Sequence, residues 1–280
     1  MYNLYLNLRI YYFFLATVIY SVGSAQISFR SLKLPESVSE TSGLESYGDH
    51  LITHNDSGDK PKLYVISSNG KKIIEIKINN IENNDWEDIT SDSDHFYIAD
   101  TGNNYGTREN LKIYILNKNF ILKGITGITY SKQTSYIKNK KSEFDAESLA
   151  VVGDELVLFS KNRKTLKSEI YAFPKKKGNY SLEPKAIINT KALVTSADYD
   201  YVNDLMVLTG YSLKGDQFLF KINNFKGNGY KNLKLDRYKI PIENTQIEAI
   251  KIINQNEFWV SSESEEQKTP SLFRIKIESE

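Results

Sequence analysis

Five stretches of this chain repeat one pattern, and a chain built from five such units has few ways to close on itself. The stretches are "ETSGLESYGDHLITHND", "DWEDITSDSDHFYIADTGN", "DAESLAVVGDELVLFSKNR", "TSADYDYVNDLMVLTGYS" and "QIEAIKIINQNEFWVSSES". Each sets a short acidic or polar cluster before an apolar residue, then a turn, then a second apolar strand. With Leu44, Ile89, Leu149, Tyr199 and Ile250 as the recurring apolar positions, the copies lie 45, 60, 50 and 51 residues apart. A third apolar element follows every copy, as "KLYVIS", "LKIYIL", "SEIYAFP", "QFLFKI" and "SLFRIKI". A fourth is weaker and clearest in "KKIIEIKI". Four short strands recurring at roughly this period are how a propeller blade reads in sequence.

Composition agrees, since 19 tyrosines and 13 phenylalanines beside many isoleucines suit pleated, half-buried surfaces. Long stretches of helical periodicity are absent, whereas "KIIEIKI" alternates with period two. The chain ends test the repeat independently. The fifth copy stops after three strands at Ile277, and a lone strand, Ile27 to Leu34, precedes the first copy. That strand supplies the missing fourth one, and pairing it with the last blade removes two exposed sheet edges. The expectation is an all-β chain with a single β-propeller domain over residues 26–280, of five four-stranded blades. A degenerate sixth blade within Asn117 to Glu143, inside the 60-residue spacing, is the alternative.

Residues 1–25 stand apart. Arg9, the 11-residue apolar run Ile10 to Tyr20 and the small residues before Gln26 have the layout of a secretory signal. The run is shorter than the roughly 20 residues a membrane span requires. Cleavage after Ala25 is expected, giving an exported, periplasmic or extracellular protein without membrane insertion; an uncleaved anchor is the alternative. Without the leader, 35 basic and 35 acidic side chains remain, which argues against nucleic acid as a partner. The chain has no cysteine, so thiol catalysis and thiolate metal sites are excluded. A monomer is expected.

In a propeller, the start of each inner strand and the loop leaving the second strand share one face, so the polar clusters of every copy converge. The inner strands bring Glu40, Ser42, Asp85, Glu87, Asp88, Asp145, Glu147, Thr195, Asp198, Gln246 and Glu248. The second-strand loops bring Asn55, Asp56, Asp100, Asn103, Asn104, Lys161, Arg163, Tyr211 and Glu263. From these, Asn55, Asp56, Asp85, Asp145, Lys161, Arg163, Asp198, Tyr211 and Glu263 are the ligand-binding candidates. Glu87, Glu147, Glu248 and Asp100 are the metal candidates, and oxygen-only ligands suit Ca2+ or Mg2+. Glu147 is the candidate catalytic carboxylate. Of the three histidines, His54 alone reaches the expected site face and is the candidate acid or base. Strand-end capping and pairing with Lys161 and Arg163 would account for the same carboxylates without any ligand. "DTGNN" fits turn chemistry better than cation binding, and Trp86 fits a wedge between blades. The fourth copy places Ala197 where three others have glutamate, so the ring is asymmetric.

"DWEDIT", "YIADTGNN", "DAESLAV", "TSADYD" and "QIEAI", in that order, resemble a group of exported bacterial β-propeller proteins of mostly uncharacterised function. More distantly, "ETSGLE" with "NDSGDKPKLYVISSNGK" is similar to the SdiA-regulated propellers and to the esterase-like domain of phytase-related proteins. The resemblance implies the fold across nearly all of residues 26–280 and carries no reaction with it. Two functions are open. One is non-catalytic binding of a small polar ligand, a cation or a protein at the acidic channel mouth. The other is a metal-dependent ester or phosphoester hydrolase.

Overall fold

A computed structural model describes residues 26–243, 245–264 and 269–278; the leader expected over residues 1–25 lies outside them. The described residues form five blades. Their inner strands are Thr41–Tyr47, Trp86–Ser91, Ala146–Val152, Leu193–Asp200 and Ile247–Asn254. We call the channel end where these strands begin the upper mouth and the end where they finish the lower mouth. Antiparallel second and third strands follow in each blade, and the third elements lie where the sequence repeat puts them.

Ring closure is as the chain ends require. Ile27–Lys33 runs antiparallel to Ser271–Ile277 in unbroken register, from Ile27 opposite Ile277 to Lys33 opposite Ser271. The long spacing holds no sixth blade. Leu122–Tyr130 is the fourth strand of blade 2, and the residues from there to Ala146 form no strand. One strand was not foreseen: Gly178–Leu182, after the third strand of blade 3, pairs parallel with Leu122–Tyr130 and covers the outer edge of blade 2. Covering an edge in this way removes unpaired backbone groups from the rim.

The core is five apolar clusters, one at each junction between neighbouring blades. Alternation along a strand therefore sends successive side chains to two junctions rather than to core and solvent. In blade 4, Leu205 and Val207 pack against blade 5, and Met206 and Leu208 against blade 3. This is why the second strands read as nearly continuous apolar runs. Trp86 fills the junction of blades 1 and 2, fully buried between the rings of His54, 5.5 Å away, and Tyr114, 6.2 Å away.

Every inner strand slips register near its start. The extra residue is Glu87, Glu147, Thr195 or Glu248 in blades 2 to 5, and Gly43 in blade 1. A bulge redirects the side chain it carries, and these bulges stand at the upper mouth. Gly43 is required where it lies, at φ +67°, because a Cβ there would meet the Ile89 nitrogen at 2.6 Å. Among the described residues no helix is long and apolar enough to cross a membrane.

Candidate functional site

Three bulge glutamates and the residues just before the inner strands make the floor of the upper mouth. Carboxylate oxygens of Glu87, Asp145 and Glu147 all lie within 4.8 Å of one another, and all three side chains are buried. A second group, Glu40, Asp56 and Glu263, gathers equally tightly in a half-buried position. Glu248 belongs to neither group, and its carboxyl feels the attraction of Lys161 and the repulsion of Glu263 and Asp56.

Two cations bond to the inner group. The Lys161 ammonium donates to Glu147 Oε2 and lies 5.1 Å from the centre of the Tyr211 ring. Arg163 donates to Asp145 Oδ2 and Asn104 Oδ1, and at 3.4 Å to Glu147 Oε1. Asp145 also accepts the Asn103 backbone N–H at 2.7 Å. The side-chain carboxylates of Glu87 and Asp85 have no hydrogen-bond or ion-pair partner among the described residues. They meet over Gly102, whose missing Cβ would stand 2.1 Å from Glu87 Oε1 and 2.3 Å from Asp85 Oδ2. A side chain at position 102 would displace both carboxylate ends.

Among the described residues Asp56, Asp85, Glu87, Asp145, Glu147 and Glu248 outnumber the cations that act on them, Lys161, Arg163 and Arg108, and protons make up part of the difference. Burial, reinforced by Glu147, pushes Glu87 well above the usual carboxylate range. Burial raises Glu147 to about 8 against the pull of Lys161, Glu248 to about 7, Asp56 to about 7 with help from Glu40, and Asp85 to about 6. Burial alone would depress Lys161, but Glu147 and Glu248 more than offset it, and its ammonium is held well above the ordinary value. The lysine stays charged while acids around it take up protons.

Four expectations need correction. Asp198 is not at the upper mouth: it lies at the lower end, where Oδ1 accepts from Lys251 Nζ at 2.9 Å and Oδ2 from the Ile252 N–H at 2.7 Å. The register explains this. Ser196 pairs with Thr209 beside the bulge, so Thr195, not Ala197, occupies the glutamate position, and Ala197 replaces Tyr199 as the recurring apolar residue. His54 is fully buried against Trp86 rather than exposed at the mouth. Its ring, depressed by burial to about 4, stays neutral at pH 7. Asp100 is a strand cap, because Oδ1 accepts from Arg108 at 2.7 Å and Asp85 N at 3.1 Å, and Oδ2 from Asn84 at 2.9 Å. The close carboxylate group is thus Glu87, Asp145 and Glu147, without Asp100 and with Glu248 to one side. Asn55 clamps a loop, donating to Ser37 O at 3.1 Å and Asp59 Oδ2 at 2.9 Å, and offers little to a ligand.

"DTGNN" behaves as a turn, with Asn103 Oδ1 accepting the Arg108 N–H at 2.9 Å. Sequence reasoning missed Arg108, whose signal was its place as the one arginine in the loop after the second strand of blade 2. It also missed the lower-mouth cluster. There Lys251 Nζ sits 2.6 Å from Glu45 Oε1 and 2.9 Å from Asp198 Oδ1, beside a cavity of about 820 Å³. Between the two mouths the buried Asp88 carboxylate crosses the channel. It accepts N–H groups from Ile89 and Leu149 at 2.9 Å and Ala197 at 3.3 Å, tying three blades together.

No known family model and no curated protein matches this sequence. Solved structures do match in fold. The endo-arabinase from Bacteroides thetaiotaomicron is similar at a TM-score of 0.52 and 11% identity, over 90% of this chain and 99% of that one. The PQQ-bound aldose sugar dehydrogenase from Streptomyces coelicolor is similar at 0.51 and 10% identity, over 91% and 99%. Both likenesses are to the propeller scaffold, and at these identities they extend to nothing else.

Proposed function

We propose that this chain is an exported binding protein that takes a cation, or a small polar ligand carrying positive charge, at the upper channel mouth without transforming it. The reading rests on one observation: among the described residues three buried or half-buried carboxylates at this mouth, Asp85, Glu87 and Glu248, have no side-chain hydrogen-bond or ion-pair partner, and Glu87 lies against the Asp145 and Glu147 oxygens. Such an arrangement is stabilised by whatever supplies the missing positive charge. Thermal unfolding of the mature protein at pH 8 tests it, with calcium, magnesium or spermidine added in turn. At about 100 times its dissociation constant, a ligand of the folded state adds about 2.7 kcal/mol, a rise of several degrees. If none of the three moves the transition, this reading is wrong.

A second reading, a metal-dependent ester or phosphoester hydrolase, is favoured by the grouping of Glu87, Asp145 and Glu147, which can hold an ion able to polarise a carbonyl or phosphoryl oxygen. Glu147 would be its proton carrier, since His54 is enclosed. Turnover of p-nitrophenyl esters or phosphates that needs calcium or magnesium and disappears in Glu147→Gln would establish it over the first.

A further inference from the structure

The buried carboxyl of Glu248 is the least explained group at the mouth. It is 8% exposed, comes from a different blade than the Glu87, Asp145 and Glu147 group, and has no hydrogen-bond or ion-pair partner among the described residues. Its strongest attraction is to Lys161, which feels Glu147 first and Glu248 second. One lysine is therefore bonded to one buried glutamate and attracted by a second.

On the other side of Glu147, Glu87 is 7% exposed and equally unpartnered, held over the space a Gly102 side chain would fill. Three oxygens within 4.8 Å of one another lie within the span that a single ion with metal–oxygen distances of about 2.3 to 2.6 Å can touch together. Each engaged oxygen of Asp145 and Glu147 keeps a lone pair for it. When their protons are displaced, Glu87, Asp145, Glu147 and Glu248 against Lys161 and Arg163 leave two negative charges, the charge of one divalent ion. Carboxylate oxygens alone favour a hard cation.

We propose that one hard divalent cation of the calcium and magnesium class is seated on Glu87, Asp145 and Glu147, and that Lys161 makes room for it by leaving Glu147 for Glu248. This rests on the reading of the mouth as a cation site and adds where the ion sits and how the protein releases its own counter-ion. A long, flexible side chain ending in a compact ammonium suits the exchange. Arg163, fixed by Asp145 and Asn104, stays in place. Glu248 is then a positioning residue: it touches no metal, and it receives the lysine.

Calorimetric titration of calcium and magnesium into the mature protein and its variants tests the proposal, with each variant's fold checked by its melting transition without cation. Wild type should bind one ion. Glu87→Gln should weaken binding at least about tenfold, and Glu248→Gln by about 10- to 100-fold, the range for groups that orient ligands. Lys161→Met should tighten it, and in that background Glu248→Gln should have no further effect, a non-additivity that general damage to the fold would not produce. Wild-type affinity in Glu248→Gln, or weaker binding in Lys161→Met, overturns the exchange. Binding that survives Glu87→Gln but is lost in Asp56→Asn moves the ion to the outer carboxyl group and overturns the site, while the mouth remains a cation site. No response to calcium, magnesium or spermidine overturns both.

Discussion

The two ends of the channel are built by the same five strands, yet they treat charge in opposite ways. At the lower mouth one lysine, Lys251, lies between Glu45 and Asp198 at 2.6 and 2.9 Å, and backbone N–H groups of Ser46 and Ile252 take up further lone pairs. The cluster is answered within the fold. At the upper mouth, by contrast, the carboxylates of Asp85, Glu87 and Glu248 have no side-chain hydrogen-bond or ion-pair partner among the described residues. The acids also arise differently. Those of the lower mouth are ordinary inner-strand residues, whereas Glu87, Glu147 and Glu248 are carried on bulges that turn them toward the mouth. A chain whose residues 26–280 carry 35 acids and 35 bases can thus hold one end whose acids are all partnered and one end with unpartnered acids. Charge that the fold leaves unpaired at a channel mouth is where a ligand's free energy of binding can act.

The largest expected effect tests the lower half of this contrast. Lys251→Met leaves two buried carboxylates without their cation, and breaking a buried pair by removing one partner costs about 3 to 5 kcal/mol. Urea unfolding should show the loss as a lower midpoint at an unchanged slope. A cost below about 1 kcal/mol would mean that the lower cluster is not a load on the fold at all, and the comparison of the two ends would lose its basis.

Next comes pH, which should act through the upper mouth. Asp56 and Glu248 titrate at about 7 in the fold and Glu147 at about 8, each raised by burial above its ordinary value near 4. The folded state therefore holds protons that the unfolded chain has already released. Stability from these groups is fully present below the unfolded values and is lost as pH rises through 7 and 8. His54 acts in the other sense, because its folded value is about 4 against an ordinary 6.5, but above pH 6.5 its contribution is only about 0.4 kcal/mol. Net stability should fall by about 2 to 3 kcal/mol between pH 6.5 and 8.5 without added cation. A flat profile would show that the upper carboxyls are compensated after all.

The fold was legible in sequence because a blade junction needs apolar residues at fixed positions in every copy, and that demand leaves a period. Closure was legible for the same reason: three strands at one end and one at the other admit one pairing. The Gly178–Leu182 strand was hidden because its parallel partner in blade 2 shares no pattern with it. At the site, the recurring glutamates were readable, but their bulges were not, since a bulge is a property of register. Asp198 shows the cost. "TSADYD" fits the repeat in two phases two residues apart, and only the pairing of Ser196 with Thr209 decides between them. His54 misled because alternation puts it on the junction side of its strand, where Trp86 already stands.

Removing one acid from the upper mouth should stabilise the protein. In Glu87→Gln the cost of holding a carboxyl there, set first by burial and then by repulsion from Glu147 and Asp85, disappears, and the neutral amide of the same shape can occupy the space over Gly102. An increase of about 1 to 2 kcal/mol at pH 8 without cation is expected, roughly the free energy of one pKa unit of relieved repulsion. Thermal melts of variant and wild type in parallel measure it. A destabilised variant would show that Glu87 has a structural partner and that the upper end resembles the lower.

The smallest effect, and the sharpest separation of the two ends, is expected from Asp198→Asn. An asparagine carbonyl can keep the hydrogen bond from the Ile252 N–H, and Lys251 still faces Glu45, so the lower cluster passes from two acids per lysine to one. The loss should be about 1 kcal/mol or less, that of one weakened hydrogen bond. Because Asp198 stands at the opposite end of the channel from Glu87, Asp145 and Glu147, the rise in melting temperature with calcium or magnesium should be the same in variant and wild type. A cation response reduced by this substitution would mean that the ends are linked, with the buried Asp88 carboxylate, which binds the Ala197 N–H one residue away, as the path between them.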